Sequence, residues 1–318
     1  MEVTTRTASN EQPVTTSTAS RGVLASVVAS VLFGVLFFLP PLLAPLSGNE
    51  VFGARVILTL PVVAAIFMAT GQWRDVVDVT ARVRRRPTLV LAVPLNGLLL
   101  GVQVWLFGWA PQSGHGLDAA LGYLLLPLVM VVVGILVHRE GLSFLRGAAV
   151  AAAAVGVLAA LIANGGLSWV TLVVALGYPL YFTLRRRWRL DTSGALCLEL
   201  AVLVPVAVWF VTAESTITTL VETPSLLLKV VLLGIVSGVA LVLYLAASRL
   251  LPFGLFGLLT YLEPVLLVAV SIVLLGERAT PSDALVYGPI ALALVLLAVE
   301  PARNAARQQP PSHARHPE

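Results

Sequence analysis

Charged residues are scarce in this chain. Asp, Glu, Lys and Arg make up 11% of its 318 residues, and hydrophobic residues make up 58%, whereas about a quarter of the residues of a soluble domain are charged. The mean hydropathy is +0.95. This composition excludes a soluble globular fold, and its long apolar stretches predict an all-α integral membrane protein, since helices satisfy their own backbone hydrogen bonds in lipid.

Cysteine is almost absent, and the sequence motifs of common enzymes are missing. Cys197 is the sole cysteine, so no intramolecular disulfide can form. There is no GxxxxGK[ST] phosphate loop, no HExxH and no Cys-x-x-Cys, which argues against an ATP-driven pump and against the usual metal sites. We therefore expect no enzymatic activity, no cofactor, no metal and no nucleic-acid partner.

Ten apolar stretches are long enough to cross a hydrocarbon core about 30 Å thick, which requires roughly 20 residues. They are residues 23–46, 51–70, 88–110, 118–137, 147–163, 167–184, 194–213, 226–248, 254–275 and 284–300. The polar segments 1–21 and 301–318 lack core-forming residues and are expected to be disordered tails.

The arginines predict the orientation of the chain. Seventeen of the 20 Lys and Arg residues lie in the two tails or in alternate connections, with residues 71–87 and 185–193 the richest. Under the positive-inside rule, both termini are cytoplasmic. The expected location is a bacterial cytoplasmic membrane, which the chain crosses ten times.

A weak duplication runs through the sequence. Three sets of residues recur 137 positions apart: Pro127 with Pro264, Glu140 with Glu277, and the Gly97/Gly101 pair with Gly234/Gly238. A second offset, of 144, relates Pro61 to Pro205 and Arg55 to Glu199. These offsets indicate two copies, residues 22–164 and 165–300. Each copy has five spans, so the second would be inverted, as in many secondary transporters with a midplane site.

Several segments resemble the drug/metabolite transporter superfamily of the EamA type, and within it the RarD-like permeases. The resemblance rests on QVWLFGWA at 103–110, DAALGYLLLPL at 118–128, YLEPV at 261–265 and LGER at 275–278. Family members usually have Asn where this chain has Leu126. The resemblance implies a ten-helix transporter of small metabolites.

Glu263 is the leading candidate for a functional residue. It lies about nine residues into the ninth predicted span, roughly 13 Å deep at 1.5 Å per residue, and an acid at that depth often marks an ion or substrate path. The alternative is a neutral acid bonded to a neighbouring helix. Its counterpart in the first copy is the apolar Leu126.

Four further polar residues are substrate-path candidates. Tyr123 and Tyr261 lie about one turn before the two repeated prolines, where either hydroxyl could contact substrate or simply pack. Asn96 and Gln103 are seven residues apart and so share a helical face. Their amides could contact substrate or join neighbouring helices.

Two charged residues and two prolines are candidates for gates and hinges. Arg55 and Glu199 occupy equivalent positions that inversion would place at opposite membrane faces, so they are not expected to pair. They could close gates or anchor their helices, with Glu50 the nearest partner for Arg55. Pro127 and Pro264 each remove a backbone donor within a span and are hinge candidates.

The remaining repeated residues are assigned structural roles. The glycine pairs should allow equivalent close helix contacts in both halves. Glu140 and Glu277 end their helices and should accept hydrogen bonds from loop donors.

Together these features predict a secondary transporter that moves a small organic metabolite or drug through the lipid bilayer by alternating access. Proton coupling would act through Glu263. An uncoupled facilitator, a non-transporting scaffold and a lipid-modifying enzyme are the alternatives, and a homodimer is left open. The sequence leaves the substrate and the direction of transport undetermined.

Overall fold

The computed structural model describes residues 16–138, 143–164, 167–213, 216–251, 256, 259–278 and 281–308, and within these ranges all regular structure is helical. The helices are α1 (Thr16–Phe38), α2 (Gly48–Ala69), α3 (Trp73–Arg85), α4 (Pro87–Gln112), α5 (Gly116–His138), α6 (Phe144–Asn164), α7 (Trp169–Arg187), α8 (Ser193–Ala213), α9 (Thr216–Glu222), α10 (Pro224–Leu250), α11 (Leu262–Ala269) and α12 (Pro281–Gln308). A 3₁₀ turn at Pro40–Leu43 follows α1, and a π-helical turn at Val270–Leu274 continues α11.

Six of the helices are long and apolar enough to cross a membrane, namely α1, α2, α4, α5, α8 and α10. Shorter apolar helices at Gly147–Ala160, Leu262–Leu274 and Ala284–Leu296 coincide with three more predicted spans. The remaining one, α7, has 19 residues and ends in three arginines. The structure therefore confirms a helical membrane protein, while the count of ten crossings stays a prediction.

Two helices lie in segments that the sequence analysis treated as connections. α3 buries Val76 and Val79, with Asp75 in its first turn and arginines in its last turn, an arrangement that complements the helix dipole. α9 is a short helix before α10. Neither helix contains an apolar stretch long enough to predict a membrane span, so hydrophobic length does not indicate them.

The helices also extend into the predicted tails. α1 begins at Thr16 and α12 continues to Gln308, so residues 16–21 and 301–308, where disorder was expected, are helical in the structure. The segment 302–308 contains Ala and Arg, which are strong helix formers and allow a helix to continue beyond its apolar part.

Helices of the first predicted half pack mainly against helices of the second. α1 packs on α10, α2 on α8 and α10, α4 on α7 and α8, α5 on α7 and α11, and α6 on α12. A large apolar cluster, which includes Phe37 of α1, Phe107 of α4, Val174 of α7 and Leu233 of α10, joins these contacts. The two predicted halves are thus interleaved, and the boundary near residue 165 does not separate two cores.

The repeated glycines permit the closest of these contacts. A Cβ on Gly97 would lie 3.3 Å from Val202 of α8, and one on Gly234 would overlap Leu58 of α2. Leu58 and Val202 are themselves 144 positions apart. Gly101 and Gly238 likewise face Leu203 and Val62. Leu203 and Val62 are 141 positions apart, and the residue equivalent to Leu203 is Thr59, whose carbonyl lies 3.5 Å from a Cβ on Gly238. The contacts agree with the prediction residue for residue for the first pair and within one helical turn for the second.

Large apolar side chains cover the outside of the bundle. Leu91 is 75% exposed, Ile162 84% and Leu228 72%, on three different helices. This surface requires a hydrocarbon solvent, because a contiguous apolar exterior of this kind is not stable in water.

Candidate functional site

A cavity of about 220 Å³ lies at the centre of the bundle. Aromatic rings form much of its wall, including Phe33, Phe107, Tyr123, Tyr178, Phe182 and Tyr244. Its polar wall residues include Arg55, Thr59, Arg185, Ser237 and Glu263. An apolar enclosure with a few polar groups is the usual form of a small-molecule site.

Arg55 of α2 contributes a buried cation to the cavity wall. Its side chain is 5% exposed, its Nε donates to Ser237 Oγ of α10 at 3.0 Å, and its guanidinium carbon lies 5.3 Å from the centre of the Phe107 ring. Its Nη1 has no hydrogen-bond partner among the described residues. The buried charge is held by a hydroxyl and an aromatic face.

Glu50 is not the partner of Arg55, contrary to the sequence analysis. Its carboxylate accepts from the Ser47 backbone N–H at 2.7 Å and from Thr216 Oγ1 at 2.7 Å. Ser47 Oγ in turn accepts from the Glu50 backbone N–H. This reciprocal capping box fixes the first turn of α2, and the Glu50 carboxylate is therefore already hydrogen-bonded.

Glu263 lies on the cavity wall in the first turn of α11. It forms no hydrogen bond or ion pair with any residue that the structure describes. Leu126 of α5, its counterpart at the offset of 137, also lines the cavity. The two equivalent positions therefore border one space, and only one of them supplies an acid.

Three side chains form a bonded network beside the cavity, at what we call the arginine-rich end, the end that carries residues 82–86 and 185–189. Arg185 Nη1 donates to the Tyr181 hydroxyl at 2.7 Å, and this hydroxyl donates to Glu199 Oε2 at 2.7 Å. Arg185 Nε lies 3.6 Å from Glu199 Oε1. Tyr181 and Arg185 line the cavity, and the network joins α7 to α8.

The backbone beyond α7 holds Arg185 in place. Its Nε donates to the Leu190 carbonyl at 2.9 Å and its Nη2 to the Thr192 carbonyl at 2.9 Å. Sequence reasoning missed Arg185 because it is the first of three arginines at a predicted membrane surface. Its spacing of four residues from Tyr181 was the available signal.

Asn96, Gln103 and Tyr261 are not among the residues that line the cavity. Gln103 Nε2 donates to the Val173 carbonyl at 2.9 Å and joins α4 to α7, as the structural interpretation of this residue expected. Asn96 is fully buried, and neither of its amide atoms has a partner among the described residues. Tyr261 packs against the apolar cluster around Leu121 and Ile290.

The two repeated prolines line the cavity in different local structures. Pro127 lies within α5, where its missing N–H interrupts the hydrogen-bond ladder. Pro264 falls in the first turn of α11, where helices tolerate proline without loss of a bond. The π-helical turn at Val270–Leu274 follows soon after, so the irregular part of this segment is wider than the proline alone predicts.

The opposite end of the bundle carries a helix cap and stacked aromatic rings. Glu277 accepts from the backbone N–H groups of Gly116 and Leu117, each at 2.7 Å, so its prediction as a helix-end acceptor is confirmed. Glu140, its counterpart, lies outside the described residues. Trp109 stacks on Trp105 and on His115.

Comparison with known proteins agrees with this architecture. No family model matches the chain. A chloramphenicol-sensitive protein RarD of Pseudomonas aeruginosa is 40% identical over 91% of this chain and 97% of its own length. An uncharacterized transporter of Pasteurella multocida is 42% identical over 81% of this chain and 88% of its own length. A protein RarD of Streptomyces exfoliatus is 27% identical over 91% of each chain.

One solved structure has a similar fold. Its chain superposes with a TM-score of 0.54 at 18% identity, covering 91% of this chain and 98% of that chain. The likeness therefore concerns the fold alone. The sequence relatives establish the family, and the resemblance inferred from the motifs is confirmed: the chain belongs to the RarD-like permeases of the drug/metabolite transporter type.

Proposed function

We propose that this protein is a secondary transporter that moves a small organic solute across a bacterial cytoplasmic membrane by alternating access. The observation that carries the proposal is the central cavity, with aromatic rings, Arg55 and Glu263 on its wall. Relatives named as transporters support the general class. A midplane site between two inverted halves is typical of secondary transporters.

The helix contacts support the inverted repeat. In the predicted repeat, α1 corresponds to α7 and α4 corresponds to α10. The contact of α1 with α10 therefore corresponds to the contact of α7 with α4, and both contacts occur. Likewise α2 corresponds to α8, so the contact of α2 with α10 corresponds to the contact of α8 with α4, which also occurs. The contacts of Gly97 with Val202 and of Gly234 with Leu58 obey this relation residue by residue, as expected if one packing arrangement is used twice in opposite orientations.

The network of Arg185, Tyr181 and Glu199 is the proposed gate at the arginine-rich end. It ties α7 to α8 beside the cavity through the 2.7 Å hydrogen bond from Tyr181 to Glu199 and the 3.6 Å contact of Arg185 with Glu199, while the bond from Arg185 to Tyr181 lies within α7. Opening the cavity on this side would require α7 and α8 to separate and the two contacts with Glu199 to break. Glu199 thus keeps the gating role proposed from the sequence, with Arg185 as its counter-charge.

Accessibility of cavity residues tests alternating access without knowledge of the substrate. Replacing Cys197 with alanine gives a cysteine-free background, since it is the sole cysteine. Leu241→Cys places a thiol on the cavity wall, and Leu233→Cys places one on the same helix where the side chain is 0% exposed. We expect a membrane-impermeant thiol reagent to label position 241 from both sides of oriented vesicles and position 233 from neither.

Labelling of Leu241→Cys from one side only would refute alternating access and favour a static cavity, as in a scaffold or an enzyme. Labelling of Leu233→Cys as fast as Leu241→Cys would show that the bundle is open generally, and it would also contradict the proposal. The two variants share helix α10, so differences in expression or insertion do not explain a difference in labelling.

Proton coupling through Glu263 is a finer proposal and has its own test. Glu263→Gln removes the titratable group and keeps the side-chain size. In proteoliposomes we expect this variant to exchange a labelled solute in counterflow, while losing accumulation driven by a pH gradient. Leu126→Gln, at the equivalent position, is the matched control and should keep the gradient dependence. If Glu263→Gln accumulates solute like the unmodified protein, coupling does not use this residue.

A further inference from the structure

Arg55 and Thr59 present two unused hydrogen-bond groups to the cavity. They are four residues apart on α2, so they lie one turn apart on one face of that helix. Their side chains are 5% and 2% exposed. Arg55 Nη1 and Thr59 Oγ1 both lack a hydrogen-bond partner among the described residues. Buried groups of this kind are normally bonded, so the pair points to a ligand.

No acid of the described protein neutralises Arg55. Its polar contact is the neutral Ser237 hydroxyl, at 3.0 Å from Nε. Of the nearby acids, Glu50 is bonded to Ser47 and Thr216, and Glu199 to Tyr181. Glu263 forms no ion pair with Arg55 or with any other described residue. A guanidinium buried without a counter-charge is costly, and an anionic ligand would remove that cost.

The space around Arg55 is apolar and aromatic. Its guanidinium lies over the Phe107 ring, and Phe33 stacks edge-on with Phe107 at 6.3 Å and with Tyr244 at 6.0 Å. Tyr178 and Phe182 stack at 5.9 Å on another side of the cavity. A ligand that binds Arg55 therefore has its remaining atoms against rings and not in water.

We propose that Arg55 and Thr59 form an oxyanion subsite, and that the transported solute is an amphipathic organic anion of the carboxylate class. One oxygen of the carboxylate accepts from Arg55 Nη1 and the other accepts from the Thr59 hydroxyl. The apolar body lies among Phe33, Phe107, Tyr178 and Tyr244. This assignment rests on the proposed transport function and narrows it to one class of solute.

Three probes with one body and different ends test the subsite. They are 3-phenylpropionate, 3-phenylpropanamide and 3-phenylpropylamine, each measured by equilibrium binding to purified protein. Thermal stabilisation gives a second reading, because a ligand specific for the folded state raises its apparent stability. We expect the acid to bind in the micromolar to millimolar range and the amide and amine to bind at least about 10-fold more weakly, since hydrogen bonds to charged groups are the stronger ones.

Variants assign the binding to the two residues. Arg55→Gln should weaken binding of 3-phenylpropionate by about 10- to 100-fold, and Thr59→Val, which keeps the shape, by about 3- to 10-fold. Arg55→Lys keeps the charge and should retain part of the affinity. This variant keeps the test valid if Arg55→Gln does not fold. Lys229→Gln is the control, because it removes a cation that bonds the Leu42 carbonyl on an exposed part of α10.

The outcomes separate this inference from the transport proposal. Equal binding of the acid and the amine, no binding of the acid at millimolar concentration, or unchanged affinity in Arg55→Gln would overturn the subsite. If the acid binds through Arg55 yet is not carried into proteoliposomes, the subsite stands and the transport function fails. If another solute is transported and the acid does not compete with it, transport stands and the subsite fails.

Discussion

Removing one hydroxyl from the proposed gate tests its energetic importance. In Tyr181→Phe the ring stays in place, while the bridge between Arg185 and Glu199 is lost. Two hydrogen bonds of 2.7 Å disappear, and the remaining Arg185–Glu199 contact is 3.6 Å long. Glu199 is 0% exposed, so water does not readily replace the lost donor.

The expected cost follows from these bonds. Interhelical hydrogen bonds in membrane proteins average about 0.6 kcal/mol, with a maximum near 1.7 kcal/mol. The interhelical bond to Glu199 and the bond from Arg185 within α7 both involve ionisable groups, so each is placed in the upper part of this range, which gives about 2–3 kcal/mol for Tyr181→Phe. At roughly 2 °C per kcal/mol for a chain of this size, the melting temperature should fall by about 4–6 °C.

Thermal unfolding in one detergent provides the assay, with Tyr178→Phe as the matched control. The Tyr178 hydroxyl contacts the Tyr123 hydroxyl at 3.5 Å, the weak limit of a hydrogen bond. This control should shift the melting temperature by no more than about 1 °C. Equal shifts for both variants, or no shift for Tyr181→Phe, would refute the reasoning. Glu199→Gln should then cost less in Tyr181→Phe than in the unmodified protein, because both changes disrupt one network.

Two further variants test the packing and the capping. Gly234→Ala would push a Cβ into Leu58 of α2 and should destabilise the protein by about 1–3 kcal/mol. At Gly288 an added Cβ would meet no other part of the described structure within 4 Å, so Gly288→Ala should be neutral or slightly stabilising by thermal unfolding. If the two alanine variants have the same melting temperature, α10 and α2 are not in close contact at Gly234. Glu277→Gln removes the charge that accepts from Gly116 and Leu117 and should cost about 1–2 kcal/mol. Glu222→Gln, at an exposed position, should leave the melting temperature unchanged, and an equal loss in both would show that Glu277 is not a cap.

The helices and the cavity position of Glu263 could be predicted because both follow from counting residues. A hydrocarbon core of fixed thickness sets the length of an apolar helix, so the predicted spans coincide with helices. Residue count also placed Glu263 deep within a span, and the structure places it on the cavity wall. The same counting overlooked α3, because an interfacial helix is recognised by its periodicity and not by its hydrophobic length.

The partners of the buried charges could not be predicted in this way. Glu50 was matched with Arg55 because they are close in sequence, yet the pattern Ser47-Gly48-Asn49-Glu50 is a capping-box signature that already assigned the acid. Arg185 and Glu199 meet because α7 and α8 both pack on α4, and no local pattern specifies that contact. Tyr178 and Tyr244 of the cavity wall were missed for the same reason.

The interleaving of the two halves has a consequence for synthesis of the protein in the cell. Helices leave the ribosome in order, so α2 enters the membrane well before α8 and α10, against which it packs. Until then Arg55 has no Ser237 to bond, and Gln103 has no Val173 carbonyl. The newly made first half is therefore an incomplete structure with polar groups facing lipid. Stable assembly waits for the last part of the chain, and truncated products should be substrates for membrane proteases.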